Sequence, residues 1–292
     1  MRKKISIIAS FRNEEKCINK FIARIKKSFK KFNHINYEII FIDDFSNDSS
    51  NKLIKKARIK NKKIKLITHK KNYGHGASIQ TGFDFVNSKN YATVIDCDLQ
   101  DSPELIADNF SKIKKNETLH FVRKKREDNF FQRLYTKIAY LILYYISQGK
   151  IIRDAGYFKI IPPSVVKKIK KNTEIDPYWN YLFTKYSFLN TRVYYIRKKR
   201  IHGSSKFNIF TLNVWLTFFS GIHFFRKRFI NVILFLLTVN FLILLLTFYN
   251  YYNFLLIISL ILIGCFLIIN LLICYFVMYY KKKNKRIYCE II

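Results

Sequence analysis

Tyr91-Ala92-Thr93-Val94-Ile95-Asp96-Cys97-Asp98-Leu99-Gln100-Asp101 is the stretch on which the fold of this chain turns. Its first five residues are a short apolar run with β-branched members, too brief for a helix and suited to a buried strand. Acidic residues follow at once. Carboxylates at alternate positions on a strand end can point the same way and hold one hard divalent cation, which in turn neutralises a diphosphate. A D-x-D sequence alone is common in acidic loops, so the weight here comes from its place directly after a strand.

Working outward, residues 5–10, 37–42 and 64–68 read as further buried strands, with amphipathic stretches between them. Asn13 is predicted to cap a helix that opens with Glu14 and Glu15 and repeats Ile18, Phe21, Ile22, Ile25 and Phe29 at helical spacing. Strand and helix alternating in this way predict an α/β fold with right-handed crossovers, a mainly parallel sheet and a binding crevice at the strands' carboxyl ends. Two more loops open at that edge. Asp43-Asp44-Phe45-Ser46-Asn47-Asp48 follows the second strand, and its carboxylates could accept hydrogen bonds from a base or ribose. They could equally form a turn that caps the next helix through Asp48 or Ser49. Asn72-Tyr73-Gly74-His75-Gly76-Ala77 joins two glycines to a helix start, where backbone can approach a ligand closely. His75 alone reads more readily as structural than as catalytic.

The formal net charge of +34 invites a nucleic-acid reading. Lysine, however, is abundant together with isoleucine, asparagine, tyrosine and phenylalanine, the mark of a compositional bias spread over solvated faces. No nucleic-acid partner is expected, and attraction to anionic membrane lipids is. The five cysteines have no paired spacing, which argues against a zinc site or a disulfide framework and for a reducing compartment. No signal peptide is expected, because the apolar run at the N-terminus is short and is followed by Arg12, Asn13, Glu14 and Glu15. Residues 229–249 and 254–280 are uncharged apolar runs of spanning length, separated by a turn at 250–253. Arg226, Lys227 and Arg228 precede them and Lys281, Lys282, Lys283, Lys285 and Arg286 follow, so both ends are predicted to be cytoplasmic. Residues 134–146 and 207–225 mix bulky apolar and polar groups as interfacial helices do, although the first would also suit the core of a soluble domain.

Taken together, the loops resemble the family-two glycosyltransferases of GT-A (Rossmann-like) fold, and among them the dolichol- and polyprenyl-phosphate sugar transferases, the bactoprenol glucosyltransferases of bacteria included. The resemblance runs through Ser6-Ile7-Ile8, Asn13-Glu14-Glu15, Ile42-Asp43-Asp44, Asn72-Tyr73-Gly74-His75 and the Asp96-to-Leu105 stretch. It continues through 123–133, Asp154-Ala155-Gly156-Tyr157-Phe158-Lys159, 197–200 and Gly203-Ser204-Ser205-Lys206-Phe207. It implies a cytoplasmic catalytic domain over 1–206, a juxtamembrane interfacial helix over 207–228, two transmembrane helices within 229–280 and a basic tail over 281–292. The protein would be a multi-pass protein of the cell inner membrane.

The same resemblance implies residue roles. Asp96, Asp98 and Gln100 fall on the metal-binding D-x-D-x-Q, for Mg2+ or Mn2+, and Asp44 falls on the nucleotide-recognition position. Asp43, Asp48, Asn72, Gly74 and Asp96 complete the expected site for a UDP- or GDP-linked sugar. Arg123, Arg126, Arg133, Arg200, Ser205 and Lys206 are expected around the phosphate of an undecaprenyl or dolichyl acceptor, with Asp98, Arg123, Arg133 and Lys206 central to catalysis. The expected reaction is inverting and metal-dependent, and gives a lipid-linked sugar for cell-surface glycan modification. Four departures stand out: Ser10 where proline is usual, Arg12 where an aromatic is common, Phe45 where glycine is usual and Lys159 where arginine is typical. Residues 173–191 match poorly, which leaves the sugar open, and the oligomeric state, a homo-oligomer included, is open as well. Other readings are a related enzyme acting on another lipid or glycan acceptor, and a non-catalytic membrane scaffold. A processive synthase would call for more spans.

Overall fold

A computed structural model describes residues 3–124, 130–149, 151–171, 179–198 and 289–291, with the isolated positions 238 and 264. The predicted spans, the juxtamembrane segment and most of the basic tail lie outside the described residues. Among the described residues no helix is long and apolar enough to cross a membrane.

The chain alternates β1 (Lys4–Phe11), α1 (Glu15–Lys30), β2 (Asn36–Asp43), α2 (Ser50–Ile59), β3 (Ile64–His69), α3 (His75–Phe85), β4 (Tyr91–Asp96) and α4 (Glu104–Phe110). Each of the four predicted strands is present, and each extends past its predicted carboxyl end. Asp43 and Asp96 are therefore the last residues of strands rather than the first of loops. Then come β5 (Glu117–Arg123), α5 (Phe130–Ile146), β6 (Ala155–Ile161), α6 (Pro163–Lys170), α7 (Trp179–Lys185), β7 (Leu189–Tyr195) and β8 (Cys289–Ile291).

The strands form one sheet in the order β7-β5-β6-β4-β1-β2-β3-β8. The pairs β1–β2, β1–β4, β2–β3 and β5–β7 are parallel, whereas β6 runs antiparallel to β4 and β5, and β8 antiparallel to β3. Because the chain moves from β1 out to β3 and then returns to the other side of β1, the strand order reverses between β1 and β4. That reversal opens a crevice at the carboxyl ends of the two strands.

Both sheet faces are covered, which is why β1, β2 and β4 are nearly continuous apolar runs rather than alternating ones. Ile5, Ile7, Ala9 and Phe11 pack with Phe21 and Ile25 of α1, Ile54 of α2 and Ile106 and Phe110 of α4. Ile8, Ile40, Ile42 and Val94 pack on the opposite face with Ile79 and Phe83 of α3, Val165 and Val166 of α6 and Trp179 of α7. One glycine is demanded by this packing: a Cβ at Gly82 in α3 would stand 2.3 Å from a methyl of Ile8.

Candidate active site

The first two loops are knitted together by side chains. Asn13 donates its backbone N–H to Ser46 Oγ at 3.0 Å and accepts from Asn47 N at 3.0 Å, while Asp48 accepts from Glu15 N at 3.1 Å and Ser50 N at 2.9 Å. The predicted cap at Asn13 is thus not formed. Asn13 sits at φ 58°, a left-handed conformation that asparagine tolerates, and α1 begins two residues later. Its side chain bridges the loops instead of capping the helix. Asp48 takes up one backbone donor at the start of each helix, Glu15 N of α1 and Ser50 N of α2, while Ser49, the N-cap of α2, makes no side-chain cap hydrogen bond.

Asp43 and Asp44 are both buried. Asp43 accepts from Ser46 N at 2.8 Å and Asn51 Nδ2 at 2.7 Å. Asp44 reaches the third loop, accepting from Tyr73 N at 2.8 Å and Gly74 N at 2.9 Å, with His69 Nδ1 at 2.9 Å. Gly74 adopts φ 90°, which a side chain would strain, and Asn72 Oδ1 also accepts its N–H at 3.1 Å. Between Asp44 and the next loop residues, Phe45 holds φ 65° with its ring half exposed. That left-handed backbone supplies a physical reason for glycine to be usual there.

In the crevice itself, Ser10 pairs in register with Asp96, so the ends of β1 and β4 lie side by side. His75, the first residue of α3, leans over them: its Nδ1 is 3.0 Å from Ser10 Oγ and 3.8 Å from Asp96 Oδ1. Asp98 is buried and accepts from Gln100 N at 3.0 Å, with Leu99 at φ 62° between them. Burial, followed by the charge of Asp96, raises the Asp98 carboxyl to about 6. Two carboxylates crowded in this way suit a hard divalent cation, and Gln100 adds an amide at the rim. Among the described residues no three His, Cys, Asp or Glu side chains gather to hold a metal unaided. Two carboxylates with substrate phosphates as the remaining ligands is a common arrangement for Mg2+.

A second group of residues closes the crevice from the β5–β7 side. Arg197 places Nη2 3.8 Å from Asp96 Oδ2 and donates from Nε to Asp101 Oδ1 at 3.1 Å. Tyr195 donates its hydroxyl to the same oxygen of Asp101. Burial opposes the charge on Arg123, yet Asp101 and Tyr195 beside it leave its pKa raised. The Arg123 Nε is buried without a hydrogen-bond partner among the described residues. Gly156 makes room for this guanidinium, since a Cβ there would lie 3.1 Å from Arg123 Nη2.

Lys159 is fully buried and donates to Gly156 O and to Asn180 Oδ1, the latter at 3.1 Å. Desolvation and then the Arg123 charge lower its pKa to about 7. Of the remaining predicted residues, Arg126, Arg200, Ser205 and Lys206 lie outside the described residues, and of Arg133 only the backbone, within α5, is described. Arg197, Tyr195 and Asp101 were not singled out as site residues. The contact between Asp101 and Arg197 spans 96 positions, and nothing in local spacing announces it.

The profile of the family described as "Glycosyl transferase family 2" matches residues 6–230. The uncharacterized glycosyltransferase YkcC of Bacillus subtilis is 31% identical over 204 residues, which cover 69% of this chain and 62% of that protein. The bactoprenol glucosyl transferase of Shigella phage SfV is 27% identical over 207 residues, covering 70% of this chain and 67% of that one. Among solved structures, mannosyl-3-phosphoglycerate synthase from Rubrobacter xylanophilus superposes with a TM-score of 0.51 at 11% identity, over 77% of this chain and 74% of the other. The mannosyltransferase PcManGT of Pyrobaculum calidifontis gives 0.51 at 11% identity, over 80% of this chain and 65% of its own. These two likenesses concern the fold, which is GT-A-like.

Proposed function

We propose that this chain, which belongs to glycosyl transferase family 2, transfers a sugar from a nucleotide-sugar donor to a polyprenyl phosphate at a membrane face, with inversion. The observation that carries the reading is the pair Asp96 and Asp98 at the point where the strand order reverses, with Arg197 against Asp96 on one side and His75 on the other. Nucleotide ligands of open α/β sheets bind at such a reversal. The acceptor class is drawn from the bactoprenol glucosyl transferase relatives, and the matched segment spans only 62% of the first relative's length.

Asp96, Asp98 and the Gln100 amide would hold a divalent cation, which when bound offsets the charge of the donor diphosphate. Asp44 fixes the glycine loop, and through it the wall against which the nucleotide would lie; Asp43 and Asp48 order the neighbouring turn. An oxygen of the acceptor phosphate would bond to the anomeric carbon while that carbon's bond to the diphosphate oxygen breaks, the diphosphate leaving with the electron pair. Charge on the leaving group grows in the transition state, and Arg197, 3.8 Å from Asp96, with Arg123, beside Asp101, would stabilise it. A phosphomonoester, with a second pKa of about 6, is largely ionised near neutral pH and has little need of a general base.

The test incubates the purified full chain in detergent with a short polyprenyl phosphate, a panel of UDP- and GDP-sugars and Mg2+ or Mn2+, and identifies the lipid-linked product. The phosphate should be glycosylated and the corresponding alcohol should not. Equal transfer to both would overturn the acceptor assignment.

A further inference from the structure

Trp179, the first residue of α7, donates from Nε1 to Gly76 O at 3.1 Å, across 103 positions of the chain. Gly76 lies in the first turn of α3, directly after His75. The indole is buried, stacked on Phe83 of α3 with ring centroids 5.5 Å apart and 17° between the planes, and it meets Phe183 of its own helix at 5.7 Å. Packing of this kind fixes the ring and with it the direction of the N–H. The next residue, Asn180, accepts from Lys159 Nζ of β6 at 3.1 Å, so α7 is tied to β6 as well as to α3. A buried indole N–H needs some acceptor. The one used here belongs to the glycine loop of the crevice.

Residues 73–76 are thereby held from two sides. Asp44 takes the N–H groups of Tyr73 and Gly74, and Trp179 takes the carbonyl of Gly76. Between these anchors stands His75, with Nδ1 3.0 Å from Ser10 Oγ and its ring 5.1 Å from that of Tyr157. Its side chain is 29% exposed, and Nε2 has no hydrogen-bond partner among the described residues. With Nδ1 engaged, Nε2 is the nitrogen left for a ligand. Asp96 Oδ1 is 3.8 Å from the same ring, which puts that ligand beside the carboxylate pair. A donor at the start of α3, a helix of 11 residues whose first amides and dipole favour negative charge, suits a phosphate oxygen.

We propose that Trp179 is a positioning residue for donor binding: through Gly76 it fixes the start of α3 and the His75 ring, whose Nε2 contacts a phosphate oxygen of the nucleotide diphosphate. The inference rests on the transferase reading of the crevice. It adds a residue from the stretch 173–191, which the family resemblance left without a role.

Isothermal titration calorimetry of the purified full chain in detergent, with UDP or GDP and Mn2+, measures nucleotide affinity without requiring transfer. His75→Ala should weaken the nucleotide that the wild type binds by about tenfold, as loss of a hydrogen bond to a charged group does. Trp179→Phe keeps a ring against Phe83 but removes the N–H, and should weaken it by about fivefold, the scale of one neutral hydrogen bond. In the His75→Ala background the same change should cost at most about twofold more, because a residue that acts through another has little left to lose. His75→Gln, whose amide reaches the place of Nε2, should regain part of the affinity. His75→Asn, whose amide reaches only the place of Nδ1, should not. Benzothienylalanine at position 179 replaces the N–H by sulfur at nearly the same shape, so it should reproduce the loss even if Trp179→Phe folds poorly.

Equal affinity of the wild type and the position-179 variants would overturn the proposal. So would a full loss from Trp179→Phe in the His75→Ala background, which would show Trp179 acting apart from His75. The expected pattern without sugar transfer to any acceptor would keep the positioning role and reject the transferase reading. Absence of UDP and GDP binding by the wild type would overturn both.

Discussion

Asp98 combines burial with the repulsion of Asp96, and a residue so placed has little reason to be acidic unless a cation answers it. Asp98→Asn should leave the fold intact and lower sugar transfer by about a hundredfold or more, the scale on which loss of a single electrostatic group acts in an active site. Mn2+ should raise the melting temperature of the wild type and leave that of the variant unchanged. Near-normal turnover of Asp98→Asn with a chelator present would remove the cation from the scheme. Lys159 makes a prediction of another kind. Its folded-state value of about 7 lies below the ordinary 10.5, so between those pH values the unfolded chain holds a proton that the folded chain has lost. Stability contributed by this group is therefore full above the unfolded value, falls as pH drops toward 7 and is gone below it. Denaturant titrations across that window should show wild-type stability rising with pH and a flatter slope in Lys159→Met. Parallel slopes would contradict the assignment.

At the scale of elements, α5 is the helix whose surroundings the sequence left undecided. It exposes Leu134, Ile138, Leu141 and Tyr145, at spacings of four, three and four, and buries Leu143. That arrangement puts an apolar stripe on the outside, the reverse of what a core-facing helix shows. Under the interfacial reading, Leu141→Glu should reduce transfer in liposomes severalfold while changing activity in detergent little, because burying an apolar face in the headgroup layer is the only contribution it removes. Equal activity in both media would return α5 to an ordinary surface helix.

At the scale of the whole molecule, β8 decides more than its three residues suggest. Ile67, Thr68 and His69 of β3 pair with Ile291, Glu290 and Cys289, so the chain on either side of residues 199–288 belongs to one sheet. Strands cannot pair across a bilayer, so the β3–β8 pairing predicts that β3 and β8 lie on the same side of any membrane. Epitope tags at the N-terminus and after Ile292 should accordingly be protected or digested together in sealed vesicles, and both should be cytoplasmic if the basic flanks orient the spans. Tags on opposite faces would exclude both the two predicted spans and the β3–β8 pairing.

The sequence by itself determined the α/β alternation, the four central strands and the acidic loops at their ends, because buried parallel strands and helix faces write their periods directly into apolar residues. It also placed Asp96, Asp98 and Asp44 at one edge, since a strand end is a local property. Only the tertiary structure decided what those carboxylates touch. Asn13 bridges two loops instead of capping α1, Asp44 holds the backbone of the glycine loop, and Asp101 meets Tyr195 and Arg197. The antiparallel strand β6 and the strand β7 were equally silent in the sequence. β7 is half polar, β6 is apolar but pairs with strands distant in the chain, and a side chain's charge reveals its role only once folding sets what lies within a few ångströms of it.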